Sequence, residues 1–184
     1  WAPDVYEGSS VPAVTYFATT MKIANVIILL NIVTMVVGEY TKISVDLIKI
    51  AASLSMVIGA SGAIRQNSLK RLMGYATILN IGYVLMAIAL HSDSGNWSAI
   101  IYIVIYTIGV AGFFACLISL LGKKSDLATF DDLKGVASNR KALAAGISVI
   151  VFSMIGIPPL AGFFGKYYLF YQAIVLFLFV LFLF

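Results

Sequence analysis

Two lysines stand where a charged side chain is costly. Lys22 lies inside the apolar stretch from Val11 to Val37. At about 1.5 Å per residue it is roughly 16 Å from one end of that stretch and roughly 22 Å from the other. A lysine arm of about 6 Å does not snorkel over that distance. Either the helix end lies elsewhere, or the lysine faces a bundle interior or hydrated path, where ionisable groups mark ion and proton routes. An ammonium out of water loses solvation, so a site of that second kind loads and releases a proton.

Lys166 is the second. It follows Pro158 and Pro159 within Gly156-Ile157-Pro158-Pro159-Leu160-Ala161-Gly162-Phe163-Phe164-Gly165-Lys166-Tyr167. Proline inside a span removes a hydrogen bond and clashes with the preceding turn, so this stretch is expected to break. Backbone groups freed at membrane depth are tolerated only inside protein or beside water, and transporters build ion sites from such breaks. A packing kink with a lysine near the interface is the other reading.

Asn80, beside Gly82, is polar at depth; it either hydrogen-bonds between helices or lines a water path. Thr77 and Tyr83 carry a weaker form of the same signal. The acids Asp4, Glu7, Glu39, Asp46, Asp93, Asp126, Asp131 and Asp132 lie outside the apolar stretches or at their ends. None is expected to reach Lys22 near the midplane. Lys22 is then neutral much of the time, or its partner lies on another segment or subunit. His91 reads as interfacial and Cys116 as a packing residue. One cysteine and one histidine exclude an intrachain disulfide, a cysteine-ligated iron–sulfur cluster and a multi-histidine metal site in this chain. No phosphate loop, dinucleotide fingerprint, nucleophile triad or paired carboxylates are visible.

The elements that hold these residues are membrane helices. Of 184 residues, 61% are apolar and 11% charged, with a mean hydropathy of +1.02. A soluble domain carries about a quarter charged residues. Spans of about 20 residues leave room for five or six. Five stretches stand out: Val11 to Val37, capped by Ser9 or Ser10 with Pro12 in the first turn; Val45 to Ile64; Leu72 to Leu90; Trp97 to Leu121; and a fifth from about Ala142, broken at Gly156 to Pro159. Lipid requires every backbone group to be paired internally, so the fold class is an all-α polytopic membrane protein of about five helices, the fifth broken at Pro158-Pro159. Residues 1–173 form the membrane domain, and 174–184 an apolar low-complexity tail that either opens another span or is the mark of a truncated or frameshifted product. The start at Trp1 rather than methionine also suggests a fragment.

The loops orient the helices. The N-terminus, Arg65 to Arg71 and Gly122 to Lys141 share one side, with Arg65, Lys70, Arg71, Lys123, Lys124, Lys134, Arg140 and Lys141; the other side has Lys42 and Lys49. That bias puts the basic side in the cytoplasm, or in the matrix of a mitochondrion. It also accounts for the net charge of +4 without a nucleic-acid partner. The connection from Gly122 to Lys141 reads as a solvated loop or a short surface helix.

Three motifs carry a family resemblance. Trp1-Ala-Pro-Asp-Val-Tyr-Glu-Gly, Lys70-Arg71-Leu72-Met73-Gly74-Tyr75 and Gly156 to Tyr167 fall in the order and spacing of the antiporter-like subunit N family of NADH-quinone oxidoreductase (respiratory complex I). The chain resembles that family from Trp1 to about Phe170. The resemblance implies a fold of fourteen helices with two inverted five-helix repeats, this chain supplying helices eight to twelve. It implies proton transfer by Lys22, matching the helix-eight lysine, and by Lys166, matching that of a discontinuous helix twelve. It further implies proton translocation along a buried lysine axis, driven by NADH oxidation and quinone reduction elsewhere. No redox site or cofactor is expected here; NADH, FMN, iron–sulfur clusters and quinone belong to other subunits. The implied partners are the other membrane-arm subunits and the lipid bilayer. The implied place is the bacterial inner membrane, or the mitochondrial inner membrane if organellar.

The departures also matter. The family's helix-five glutamate and helix-seven lysine are not in this chain. Asn80 stands where many relatives carry histidine, and Val110 where asparagine is common. Beyond Tyr171 the resemblance stops. Two other functions remain: an Mrp-type cation/proton antiporter subunit, and a remnant that no longer pumps.

Overall fold

A computed structural model describes residues 1–36 and 41–183, without the side chains of residues 36, 41, 42, 123 and 175–183. Glu39 therefore lies outside the described residues, as do the side chains of Lys42 and Lys123.

The described chain is helical. Helix α1 (Ala2–Gly8) starts with Pro3 in its first turn, where the missing N–H costs nothing. Helices α2 (Val11–Ala18) and α3 (Thr20–Val36) form the first expected stretch, and α4 (Thr41–Ala63) the second. The third is α5 (Leu69–Ile88), capped by Ser68, whose hydroxyl accepts from the Arg71 amide; the fourth is α6 (Asp93–Leu121), capped likewise by Ser92. The fifth divides into α8 (Lys141–Ile155) and α9 (Ala161–Leu183) across the exposed Pro158-Pro159 turn. Between α6 and α8 run 3-10 turns and the single turn α7 (Val136–Asn139). The fold class is as the sequence predicts: all-α, with four helical stretches among the described residues long and apolar enough to span a bilayer.

Three local details correct the sequence reading. Val11 to Val37 is not one helix, because the backbone breaks at Thr19, and the Thr15 and Thr19 hydroxyls fold back onto the carbonyls four residues earlier. Such back-bonding bends helices and weakens continuity. Ser10 sits at the N-cap of α2, but neither it nor Ser9 supplies a side-chain cap; the Val11 amide donates to Asp126 Oδ1 at 2.7 Å, across 115 positions of sequence. The tail starts no new element, since α9 runs unbroken through it to Leu183.

Helices α5 and α6 are central. Helix α4 lies tightly along α5, where Gly59, Gly62 and Gly82 let backbones approach so closely that a methyl group would strike Leu79, Tyr75 and Met56. Small residues at close crossings are the usual device where lipid supplies no hydrophobic drive between helices. Helix α6 carries α2, α3, α8 and α9 around a core that includes Val14, Val84, Ile103, Val110, Phe114 and Leu169. Apolar side chains such as Ile43, Leu54 and Val57 of α4 point outward.

The N-terminus, the α4–α5 loop and the α6–α8 connection meet at one end, as the basic loops suggest. Leu69 N donates to Ala128 O, Ser68 bridges to Thr129, and Lys70 Nζ, 2% exposed, donates to the Ser9 carbonyl at 2.8 Å. Arg71 pairs with Asp4 and Glu7 of α1. The connection is therefore a tether as well as a solvated loop.

Candidate functional site

The site lies between α3, α5, α6 and α9. Helix α3 brings in Lys22 one turn past the Thr19 break. The side chain is 9% exposed and faces the bundle interior. Its ammonium donates to Thr77 Oγ1 of α5 at 2.7 Å and sits over the rings of Tyr6 and Tyr106, at 5.6 and 5.3 Å from their centroids. Among the described residues no carboxylate pairs with it; the described ion pairs are Lys49–Asp46, Arg71–Asp4, Arg71–Glu7 and Lys134–Asp131. Ring faces and one hydroxyl are weak substitutes for a counter-ion. Beside Lys22 a cavity of about 610 Å³ opens between α1, α3, α4 and α5, with Asn25 and Ser55 as further polar groups on its wall.

From Thr77 the polar groups continue inward. Its hydroxyl shares a hydrogen bond of 3.2 Å with the Tyr106 phenol, which is buried on α6. One turn before it, the Tyr102 ring stacks on that of Tyr106 with centroids 6.4 Å apart. The Tyr102 hydroxyl donates to Asn80 Oδ1, and Asn80 Nδ2 donates to the Ala76 carbonyl at 2.6 Å. Asn80 is thus an interhelical brace between α5 and α6. Tyr83 presents its ring to Tyr102 on one side and to Phe170 of α9 on the other.

Lys166 closes the row. It is half-buried on α9, and Nζ stands 5.6 Å from the Tyr83 centroid. The same nitrogen donates to the Ile155 carbonyl at 3.0 Å, at the C-terminus of α8. The break exposes that carbonyl, and a cation is favourable at a helix C-terminus. Gly156, at φ +97°, ends α8 in the left-handed conformation, and a methyl group there would meet Lys166 Cδ at 3.1 Å. Pro158 and Pro159 are exposed in the turn between α8 and α9, and no described hydrogen bond joins them to the row; they make the break beside which Lys166 meets the α8 terminus.

The expected residues Lys22, Thr77, Asn80, Tyr83 and Lys166 therefore share one interior row, while His91 lies exposed at the end of α5 and Cys116 packs on α6 away from it. Tyr6, which the sequence reading held only as part of the first motif, completes the row with Tyr102 and Tyr106, which that reading missed. The spacing of Tyr102 and Tyr106 by four on an apolar helix is the one trace they leave. Among the described residues no three His, Cys, Asp or Glu side chains cluster as a metal site. Outside the membrane, Asp132 in the α6–α8 connection accepts from the Thr129 amide and hydroxyl at 2.9 and 2.8 Å, and these bonds hold its carboxyl below the usual carboxylate range.

Comparison with known proteins decides the family. The family model "NADH:quinone oxidoreductase/Mrp antiporter, TM" matches residues 1–184. The chain belongs to that family. NADH-quinone oxidoreductase subunit N of Rickettsia felis is 61% identical over 95% of this chain, and that of Rickettsia bellii 60%. Subunit N of the more distant Hirschia baltica is 40% identical over the same share. A chain of respiratory complex I from Thermus thermophilus, solved with bound aureothin, superposes with a TM-score of 0.80 at 30% identity over 96% of this chain. The chain spans 38% of the length of that chain of the complex and of the two Rickettsia relatives. The resemblance to subunit N read from the three motifs is thus borne out, and with it a multi-pass place in a bacterial inner membrane.

Proposed function

We propose that this chain is part of a proton-translocating subunit N of NADH-quinone oxidoreductase, and that protons pass along a buried row from Lys22 to Lys166. The observation that carries the reading is Lys22 itself: an interior lysine with a hydroxyl and two ring faces around it and no described carboxylate partner. An uncompensated buried ammonium is expensive, so such a group gives up its proton readily when a path is offered. NADH oxidation, flavin and iron–sulfur chemistry and quinone reduction belong to other subunits in this reading. The other membrane-arm subunits are the protein partners, and the bilayer is the solvent. A stand-alone Mrp-type antiporter fits less well, because the relatives described above are complex I subunits.

The test is Lys22→Ala in the complete subunit, within the assembled complex in inverted membrane vesicles. Protons taken up per NADH oxidised should fall while the complex assembles in normal amount. Unchanged stoichiometry sinks the reading. A response to sodium without NADH would favour the antiporter.

A further inference from the structure

Helix α8 ends and α9 begins at the break, and each end carries backbone groups that its own helix leaves unpaired. The last carbonyls of α8 are met in two ways. Gly156 N donates to Phe152 O and to Ser153 O at 3.0 Å, and Ile157 N to Phe152 O at 3.1 Å. The Ile155 carbonyl takes its donor from α9, as Lys166 Nζ at 3.0 Å. The first amides of α9 show the converse. Phe163 N donates to Leu160 O at 3.0 Å, while Gly162 N donates to Ser153 Oγ of α8 at 3.0 Å. Each half-helix therefore caps the other.

Ser153 is used differently from other serines of these helices. Ser53, Ser61, Ser119 and Ser148 each donate to the carbonyl four residues earlier in the same helix. That is the ordinary use of a serine within a helix. The one described side-chain bond of Ser153 comes instead from α9. The approach there is close: Gly162 is buried, and a methyl group on it would overlap the Ser153 carbonyl. Ser153 and Ile155 lie two residues apart on α8, and Gly162 and Lys166 lie one turn apart on one face of α9. Two bonds so spaced fix both the distance and the rotation of α9 against α8. Either bond alone leaves α9 free to swivel about it.

We infer that Ser153 is a positioning residue for Lys166: the two side chains close a reciprocal lock across the break, and the lock holds Nζ at the α8 terminus beside the Tyr83 ring. The consequence for proton transfer rests on the proposed path through Lys166; the lock itself does not. With the Ser153 bond lost, the first turn of α9 swings from α8 and carries Nζ away from Ile155.

Variants of the complete subunit in the assembled complex test both parts. Exchange at the Gly162 amide, read by mass spectrometry with electron-transfer fragmentation, reports the lock. Ser153→Ala should quicken it about three- to twentyfold, the range that interhelical hydrogen bonds in membranes cover. Lys166→Met leaves the acceptor of Gly162 untouched, yet should quicken the same amide by about twofold or more, the least that coupled residues of one network show. The double variant should exchange no faster than the faster single one. Ser153→Thr, which keeps the hydroxyl, should restore the wild-type rate, and Ser148→Ala, whose serine bonds within α8, should leave it unchanged. Where Ser153→Ala fails to assemble, Ser153→Cys takes its place, a weak acceptor of similar size. In inverted vesicles Ser153→Ala should lower protons per NADH oxidised by the same fraction as Lys166→Met, and Ser153→Thr should recover them. Unchanged Gly162 exchange in Lys166→Met means two separate caps and overturns the lock. Stoichiometry that falls in Lys166→Met but stays full in Ser153→Ala overturns the positioning role and leaves the lysine path standing. Full stoichiometry in Lys166→Met removes the path at Lys166, and the exchange comparison alone then decides the lock.

Discussion

Thr77→Val asks whether the row is bonded as drawn. The two side chains have nearly the same shape, so the cavity beside Lys22 is little altered, but the acceptor of Lys22 at 2.7 Å and the partner of Tyr106 at 3.2 Å are both lost. Interhelical hydrogen bonds in membranes average about 0.6 kcal/mol and reach about 1.7. Two of them amount to about 1–3 kcal/mol. Burial of the extra valine methyl returns up to about 0.8 kcal/mol. We expect a net loss of about 0.5–2.5 kcal/mol if Lys22 rests as the amine. With Lys22 resting as the ammonium, the lost bond to a charged donor costs about 1.5–3 kcal/mol by itself. The assay is reversible unfolding of the purified subunit in mixed micelles, followed by far-UV circular dichroism. A double-mutant cycle with Tyr106→Phe isolates the shared bond, and residues in contact couple by about 0.5 kcal/mol or more. A coupling below about 0.3 kcal/mol, or a loss in Thr77→Val below about 0.5 kcal/mol, refutes the bonded row.

Three further outcomes follow from the structure. Asp126→Ala should destabilise the subunit by about 0.5–2 kcal/mol, because the Val11 amide loses its cap, and Asp126→Asn should recover most of it; the same unfolding measurement checks both. Gly156→Ala should cost about 1–2 kcal/mol for the left-handed backbone and displace Lys166 from the Ile155 carbonyl, read as faster amide exchange in the last turn of α8. Asp132 has its carboxyl held below the usual range, so its contribution is present above the ordinary carboxylate value and is lost as pH falls through the lower folded one. Exchange at the Thr129 amide, corrected for intrinsic rate, should therefore quicken only on acidification below about pH 4; an onset near neutrality would contradict this.

The helical stretches, the break at Pro158-Pro159 and the shared end of the basic loops were legible in the sequence alone. Lipid forces each apolar stretch to satisfy its own backbone, and this rule acts residue by residue. Pro158-Pro159 divided the fifth stretch for the same local reason, and loop charges placed three segments at one end. Simple length put Lys22 at depth. Tertiary structure decided what Lys22 meets. Helices α3, α5 and α6 are apolar nearly all round and have no polar face from which rotation is read. Their rotation was set by close packing, as at Gly82 against Met56 and Gly74 against Pro3, where a methyl group would stand 2.8 and 2.7 Å away. Only that packing brought Thr77 to Lys22 across 55 positions and Asp126 to Val11 across 115. The Thr19 break stayed hidden because threonine is tolerated within helices and its back-bonding leaves no signal in the sequence. Tyr102 and Tyr106 read as ordinary core aromatics until α5 supplied Thr77 and Asn80 to their hydroxyls. Periodicity and length are properties of one helix; the polar row draws on α1, α3, α5, α6 and α9, and a one-dimensional pattern does not encode their mutual rotation.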